Sequence, residues 1–272
     1  MRLIRSLVQG VRFRRDLIAP IAALEKAGSD PRLPRLRKAM LRAARNQRTI
    51  AEEDAIRTIE LRRGELLRAT QTIQVLDYGA GQADRPHSAA NTGRGTSVEL
   101  TISQVCSASK SKPWAGLLFD LVREFTPVTM VEMGTCVGIS GSYIAAAMRL
   151  NGIGHLYTLE GDPATAAIAQ ETFDDLGLAE MVDAVVGPFN TTLVETLQRH
   201  APIEIVFVDG HHDGDATIAY FEQIKPHLAE SAIVTFDDLT WSDGMQKAWR
   251  RISADPMITQ AVDMHRMGLV VI

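Results

Sequence analysis

The chain has 272 residues, of which 46% are hydrophobic and 23% are charged, and its formal net charge is −4. This composition is ordinary for a globular protein with one large domain and an appendage. No apolar run approaches the roughly 20 residues that span a bilayer. The two cysteines, Cys106 and Cys136, exclude a disulfide framework, and no secretory signal is recognisable. We therefore expect a cytoplasmic protein, with an Arg-rich organelle-targeting segment as the alternative.

The first 70 residues, here called the arm, carry a formal charge of +9, whereas residues 71–272 carry −13. Basic residues, nearly all Arg, are spread among Leu, Ile and Ala at helical spacing. This pattern predicts one helix over 3–26, or two separated near Pro20, and a long helix over 35–70. A basic arm can bind nucleic acid or an anionic membrane, but the arm lacks interleaved aromatic residues. We expect its apolar stripe to pack on the acidic remainder of the chain or to form a homodimer.

Residues 71–102 are predicted to form a hairpin or flap between the arm and the rest of the chain. Val75–Gly81 reads as a cofactor-binding glycine turn, but the polar, turn-rich residues 82–97 follow it instead of a helix. Residues 98–102 favour a second strand. Such a flap could cover an active site with Asp77 and Tyr78 as substrate contacts, or Asp77 and Tyr78 could form a plain structural turn.

A polar segment begins at residue 103, and a helix is predicted over 114–125. Strands and helices then alternate regularly. Five strand–helix units and a closing hairpin predict an α/β fold, a Rossmann-like doubly wound sheet of seven strands with an antiparallel last strand. The predicted strands are 129–133, 154–159, 182–186, 203–208, 232–236, 261–264 and 268–272.

The first strand of this sheet runs into a glycine turn that organises the prediction of a ligand site. Gly134 and Gly138 have neither the spacing of a dinucleotide fingerprint nor the Lys of a phosphate loop. Glu132 precedes the turn, where a carboxylate could meet a ligand ammonium. Glu160 ends the next strand, the usual position of a partner for ribose hydroxyls. A ligand with an amino acid end and a ribose is S-adenosylmethionine; the alternative is an ordinary turn with a buried Glu.

The pattern E-x-G-x-x-x-G-x-S, completed by Glu160, resembles the class I S-adenosylmethionine-dependent methyltransferases, especially their O-methyltransferase branch. The resemblance covers residues 103–272 and leaves the arm and the hairpin unexplained. It implies that a set of residues binds the cofactor: Glu132, Gly134, Thr135, Gly138, Ser140, Glu160, Gly161, Phe189, Asn190 and Asp209.

Three carboxylates follow two strands that we expect to be neighbours, namely Asp209 and the pair Asp237-Asp238. Carboxylates brought together repel one another unless a cation neutralises them, and hard oxygen ligands suit Mg²⁺, with Ca²⁺ or Mn²⁺ possible. The arrangement is similar to metal-dependent O-methyltransferases of the catechol and macrocin types, which implies that these three Asp bind metal. It also implies a general base at His211 or His212, and the macrocin-type pattern favours His212. Helix caps and solvated histidines are the alternative interpretation.

These observations together predict an S-adenosylmethionine-dependent enzyme that methylates a hydroxyl group on a small molecule with help from a divalent metal. N-methylation is one alternative, and it would not need the three Asp. A non-catalytic or nucleic-acid-directed protein that uses the Arg-rich arm is another.

Overall fold

The computed structural model describes residues 2–78 and 95–272, and for residues 2–7 it describes the backbone alone. The helices are α1 (Arg2–Lys26), α2 (Arg32–Arg45), α3 (Ile50–Leu66), α4 (Ile102–Ser107), α5 (Lys112–Phe125), α6 (Ile139–Asn151), α7 (Pro163–Asp175), α8 (Phe189–His200), α9 (Gly214–Ile224) and α10 (Asp243–Ser253). The strands are β1 (Thr72–Asp77), β2 (Thr96–Thr101), β3 (Thr129–Met133), β4 (His155–Glu160), β5 (Val182–Val186), β6 (Ile203–Val208), β7 (Leu228–Phe236), β8 (Gln260–Met264) and β9 (Met267–Val271). None of the helices in these ranges has the length and apolarity to cross a membrane.

The strands β3 to β9 form one seven-stranded sheet with the order β5-β4-β3-β6-β7-β9-β8. Neighbouring strands are parallel except β9, which is antiparallel to β7 and β8. The predicted doubly wound sheet with an antiparallel last strand is thereby confirmed. The strand order reverses between β3 and β6, so the ends of these strands border the crevice in which such sheets bind ligands.

Both faces of the sheet are covered, which explains why its central strands are continuous apolar runs. Successive β6 side chains point to opposite sides: Ile205 and Phe207 join a core with α5, α6 and the arm, whereas Val206 and Val208 join a core with α8, α9 and α10. These two cores fix the sheet between helical layers.

Helix α1 continues through Pro20 as one helix, the first of the two predicted alternatives. The arm differs from its prediction in its second part. The predicted long helix is two helices, because Asn46 ends α2 in the left-handed conformation and Thr49 begins α3 with a capping box to Glu52. In addition, α4 lies in the segment that we expected to be only polar, and Thr101 caps it through Gln104.

The apolar stripe of the arm packs within the same chain. Leu36 and Met40 of α2 and Ile56 and Ile59 of α3 are buried in the core that includes α5 and α6. These apolar residues, from which we predicted a dimer, are already buried within one chain. The homodimer therefore stays a prediction that the apolar stripe no longer supports.

Buried ion pairs join the arm to α5. The Glu52 carboxylate lies 2.8 Å from both Arg42 Nη2 and Arg123 Nε, and the Asp120 carboxylate accepts hydrogen bonds from Arg42 and Arg48. Both acidic side chains are almost fully buried. Burial raises the pKa of Asp120 to about 6 against the opposing charges of Arg48 and Arg42. For Glu52, burial is outweighed by the Thr49 N–H and the two arginines, and its pKa is lowered to about 2.

We predict that Glu52→Gln lowers the free energy of unfolding at pH 7 by on the order of 3–5 kcal/mol, because two arginines lose a buried partner. Since the folded-state pKa of Glu52 is lowered, its contribution is complete above its ordinary pKa of 4.5 and is lost as the pH falls toward about 2. Denaturant unfolding from pH 3 to 7 measures this, with the exposed neighbour Glu53→Gln as the control. A Glu52→Gln effect that is the same at pH 3 and pH 7 would contradict the assignment.

Candidate active site

The glycine turn after β3 has a backbone that other residues could adopt only with strain. Gly134 has φ 104°, and a Cβ atom there would lie 2.4 Å from the backbone oxygen of Asp209. Gly138 has φ 81° and precedes the first turn of α6. The structure thus places both predicted glycines in the turn, with Gly134 pressed against the end of β6. A larger residue at Gly134 would disturb the β3–β6 edge itself, so such a change cannot test cofactor binding alone.

Glu132 is fully buried beneath this turn with one carboxylate oxygen unpaired. Its Oε2 accepts a hydrogen bond of 2.7 Å from Thr158, whose hydroxyl also lies 2.7 Å from that of Thr135. Its Oε1 has no hydrogen-bond partner among the described residues. Burial raises the pKa of Glu132 to about 7, against the smaller lowering by the Ser140 and Thr158 hydroxyls near it. Because buried polar atoms normally have partners, the unpaired oxygen marks a position for a hydrogen-bond donor or cation from a ligand.

Glu160 ends β4 on the opposite side of the turn. Its carboxylate accepts backbone N–H groups from Cys136 at 2.8 Å and Asp162 at 3.0 Å, while burial raises its pKa. The Tyr78 ring packs on Gly161, where a Cβ atom would lie 2.7 Å from Tyr78 Cδ2. The strands β1 and β2 pair antiparallel. The end of β1 lies close to Glu160, since Leu76 N–H donates to Asp162 at 2.9 Å.

Phe189 and Asn190 begin α8 but have different surroundings. The Phe189 ring packs on Gly210 and meets Tyr220 edge to face at 5.8 Å, so it lies next to the end of β6. Asn190 is exposed. Phe189 is therefore positioned beside the crevice, whereas the structure records no contact that would place Asn190 there.

The three predicted aspartates do converge, but around a lysine that the sequence analysis missed. Parallel pairing of β6 and β7 sets Val208 beside Phe236, so Asp209 and Asp237 leave neighbouring strands together. Lys110, from the loop between α4 and α5, places its Nζ in direct contact with Asp237 and 3.3 Å from Asp209 Oδ2. Its side chain is only 9% exposed. The sequence signal that could have indicated Lys110 is the predicted cluster of carboxylates, because such a cluster needs a cation nearby.

Asp238 has a further cationic partner, Arg266. Arg266 Nη2 lies 3.0 Å from Asp238 Oδ1. Burial opposes ionisation of Asp238, but Lys110, His212 and Arg266 outweigh it, and the pKa of Asp238 is lowered. For Asp209 burial prevails over Lys110 and His212, and its pKa is raised.

The two adjacent histidines point to different partners. His212 Nε2 lies 4.0 Å from Asp209 Oδ1 and 3.9 Å from Asp238 Oδ2, and its ring lies 5.7 Å from that of Trp241. His211 Nδ1 instead lies 2.9 Å from the Tyr220 hydroxyl. Both have positive φ angles, 71° for His211 and 39° for His212, which turn the side chains apart. This geometry brings His212 to the carboxylates and directs His211 to Tyr220.

The arrangement does not fit the divalent metal that the resemblance implies. Within the parts of the chain that the structure describes, no three His, Cys, Asp or Glu side chains are arranged to hold a metal ion. Asp209 and Asp237 converge on the Lys110 ammonium, and Asp238 is paired with Arg266. An ammonium in that position would repel a second cation.

A cavity of about 330 Å³ lies between α1 and this centre. Arg12, Arg15 and Arg266 line it, together with the ring pair of Phe13 and Trp114, whose centroids are 4.9 Å apart. It adjoins the centre through Arg266, which also binds Asp238, and through Ser111, the residue after Lys110. The arm thus forms one wall of a partly aromatic cleft. Its lining also includes Asp16, 3.5 Å from Arg15, and the arginines outnumber this carboxylate, so the cleft is basic.

Comparisons with known proteins agree with this geometry. Residues 131–239 match the family model described as a methyltransferase domain. The chain is 36% identical over 81 residues to a catechol O-methyltransferase from Niastella koreensis, a match that covers 29% of this chain and 36% of that protein. It is 29% identical over 116 residues to a catechol O-methyltransferase from Mycobacterium tuberculosis, covering 43% of this chain and 50% of that protein. The chain therefore spans half or less of the length of these two curated relatives.

Solved structures share the fold at low sequence identity. The O-methyltransferase TomG from Streptomyces achromogenes, solved with S-adenosylmethionine, gives a TM-score of 0.52 at 24% identity over 61% of this chain and 82% of that chain. The methyltransferase PaMTH1 from Podospora anserina, solved with S-adenosylhomocysteine (SAH), gives 0.54 at 18% identity over 61% and 80%. The described core is therefore a class I methyltransferase fold. The predicted resemblance to the S-adenosylmethionine-dependent O-methyltransferases is confirmed.

Proposed function

We propose that this chain is an S-adenosylmethionine-dependent methyltransferase that transfers a methyl group to a hydroxyl on a small molecule. The observation that carries the proposal is the unpaired, buried Glu132 oxygen beside the glycine turn, at the point where the strand order reverses. The family match and the named relatives, two of them catechol O-methyltransferases, support the same reaction.

The residues around the turn fit the cofactor that the fold family uses. Glu132 and Ser140 would hold its amino acid end, Glu160 its ribose hydroxyls, and Phe189 its adenine side, while Gly134 and Gly138 keep the backbone clear of side chains. When bound, S-adenosylmethionine supplies an electrophilic methyl group. The β1–β2 hairpin, with Tyr78 on Gly161, would cover this end of the crevice.

A hydroxyl group must lose its proton to accept a methyl group, and His212 is the base that we assign. Its Nε2 lies near Asp209 and Asp238, whose negative charges would stabilise the imidazolium once the proton is taken. His211 is less suited, because its Nδ1 already interacts with Tyr220. No step of the proposal passes through a divalent ion, because the residues as arranged do not fit one.

The basic cleft favours an acceptor that carries both a hydroxyl and an anionic group. Arg12 would bind the anion, with Arg15 and Arg266 beside it in their ion pairs to Asp16 and Asp238, and Phe13 and Trp114 would pack on the body of the molecule. A phenolic acceptor fits the names of the relatives. The nucleic-acid alternative is not favoured, because several arm arginines, including Arg42 and Arg48, are engaged in ion pairs within the chain.

Cofactor binding can be tested through the proton on Glu132. Because burial raises the pKa of Glu132 to about 7, part of the Glu132 population carries a proton near neutral pH and must lose it to pair with the ligand ammonium. Calorimetry in buffers of different ionisation enthalpy should therefore register more proton release on S-adenosylmethionine binding for the parent than for Glu132→Gln. We also expect Glu132→Gln to weaken binding about 10- to 100-fold, the loss of one charge-assisted bond.

The matched control is Glu195→Gln, which removes an exposed carboxylate on α8 and should bind like the parent. If the parent shows no binding, the proposed function is wrong. If Glu132→Gln binds as tightly as the parent, the cofactor lies elsewhere in the molecule.

Substitution of the two histidines tests whether His212 is the general base. His212→Ala should lower methyl transfer from labelled S-adenosylmethionine to hydroxyl acceptors by about 10²- to 10⁴-fold, the usual range for a general base, and raising the pH should restore part of the rate. Its affinity for S-adenosylmethionine should stay within about threefold of the parent, since the glycine turn is separate. His211→Ala should lose less. A greater loss for His211→Ala than for His212→Ala would reverse the assignment.

A further inference from the structure

Lys110 is held in its position by the surrounding structure. The preceding loop is fixed by hydrogen bonds from the Ala108 and Ser109 N–H groups to the last turn of α4, and Ser111 begins α5 by accepting from Ala115 N–H at 3.0 Å. The Lys110 Nζ lies 5.8 Å from the centroid of the Phe207 ring. The loop between α4 and α5 is therefore constrained, and it positions the Lys110 ammonium at Asp209 and Asp237.

The neighbouring carboxylates of Asp209 and Asp237 need a positive charge close to them. Asp237 is 3% exposed and Asp209 lies beside it, and both carboxylates meet the same ammonium. Buried carboxylates are stable only when they are paired, protonated or bound to metal. His212 is 4.0 Å from Asp209, too far for a hydrogen bond, and Arg266 is paired with Asp238. Lys110 therefore provides the direct charge compensation that Asp209 and Asp237 have in this structure.

We infer that Lys110 is a resident cation of this site, which takes the position and the electrostatic role that a divalent ion has in metal-dependent O-methyltransferases. This inference rests on the proposed function. An ammonium donates three hydrogen bonds. Its charge pairs with Asp237 and Asp209, and an N–H group is directed to the oxygen of the acceptor hydroxyl, whose developing negative charge it stabilises. The chain carries out methyl transfer without bound metal.

Lys110 also determines the metal affinity of this site, independently of catalysis. With Lys110 in place, a divalent ion at Asp209 and Asp237 would meet a positive charge at contact distance. Removing that charge leaves the Asp209 and Asp237 carboxylates without their cation, and carboxylate oxygens are ligands that Mn²⁺ and Mg²⁺ prefer. Substitution of Lys110 should therefore create a metal site at these two carboxylates, in the part of the chain where the described residues hold none.

The experiment is a Mn²⁺ titration, followed by electron paramagnetic resonance, of the full chain as the parent, as Lys110→Met and as Lys112→Met. Methionine keeps an unbranched stem without the charge, and Lys112 is an exposed lysine two residues away. We expect no stoichiometric binding by the parent or Lys112→Met at 1 mM Mn²⁺, a concentration on the order of weak carboxylate affinities. Lys110→Met should bind one Mn²⁺ at least about tenfold more tightly than the parent.

Three readouts keep the outcomes separate. Affinity for S-adenosylmethionine, measured by calorimetry, reports on the proposed function and should be alike in all three proteins. Methyl transfer by the parent should be unchanged in EDTA and much reduced in Lys110→Met. Tight Mn²⁺ binding by the parent, loss of parent activity in EDTA, or failure of Lys110→Met to bind Mn²⁺ would each overturn the inference. If Lys110→Met does not fold, Lys110→Gln takes its place, and the parent measurements decide by themselves.

Discussion

The rest of the site depends on the burial of negative charge where β6 and β7 end. Parallel pairing of these strands forces Asp209 and Asp237 to leave the sheet side by side, in a position where water cannot fully solvate them. A positive charge must meet them, and the fold provides it from the loop before α5. The position of α5, and of everything that holds α5 in place, therefore becomes part of the electrostatics of the crevice.

This constraint explains why the arm is packed on the sheet domain. Arg42 and Arg48 of the arm bind Asp120 on α5, the helix that begins two residues after Lys110. At the other end of the arm, Phe13 of α1 packs on Trp114 in the first turn of α5. The arm thus supports the loop that carries Lys110 and forms the outer wall of the cleft beside it. The composition of the arm resembles that of a nucleic-acid-binding segment, but these arm residues stabilise α5 within the same chain.

The parts that could be predicted from the sequence are those that local patterns record. Apolar runs separated by helical periods gave the seven strands, and glycine spacing with Glu132 and Glu160 gave the ligand turn. The break at Asn46 was missed because one residue in the left-handed conformation interrupts an otherwise helical pattern. Lys110 was missed because its partners, Asp209 and Asp237, lie about a hundred residues away and leave no local signal. The contact between Tyr78 and Gly161 could not be predicted for the same reason, because the two residues are far apart in the sequence.

The central claim is that the crevice beside the glycine turn binds S-adenosylmethionine, with its amino acid end at Glu132. A crystal structure of the full chain with SAH tests it most directly. The account predicts the ligand ammonium within about 3 Å of Glu132 Oε1 and the ribose hydroxyls at Glu160, distances typical of charge-assisted hydrogen bonds. Density for the ligand at any other place, with Glu132 Oε1 still unpaired, would contradict the account.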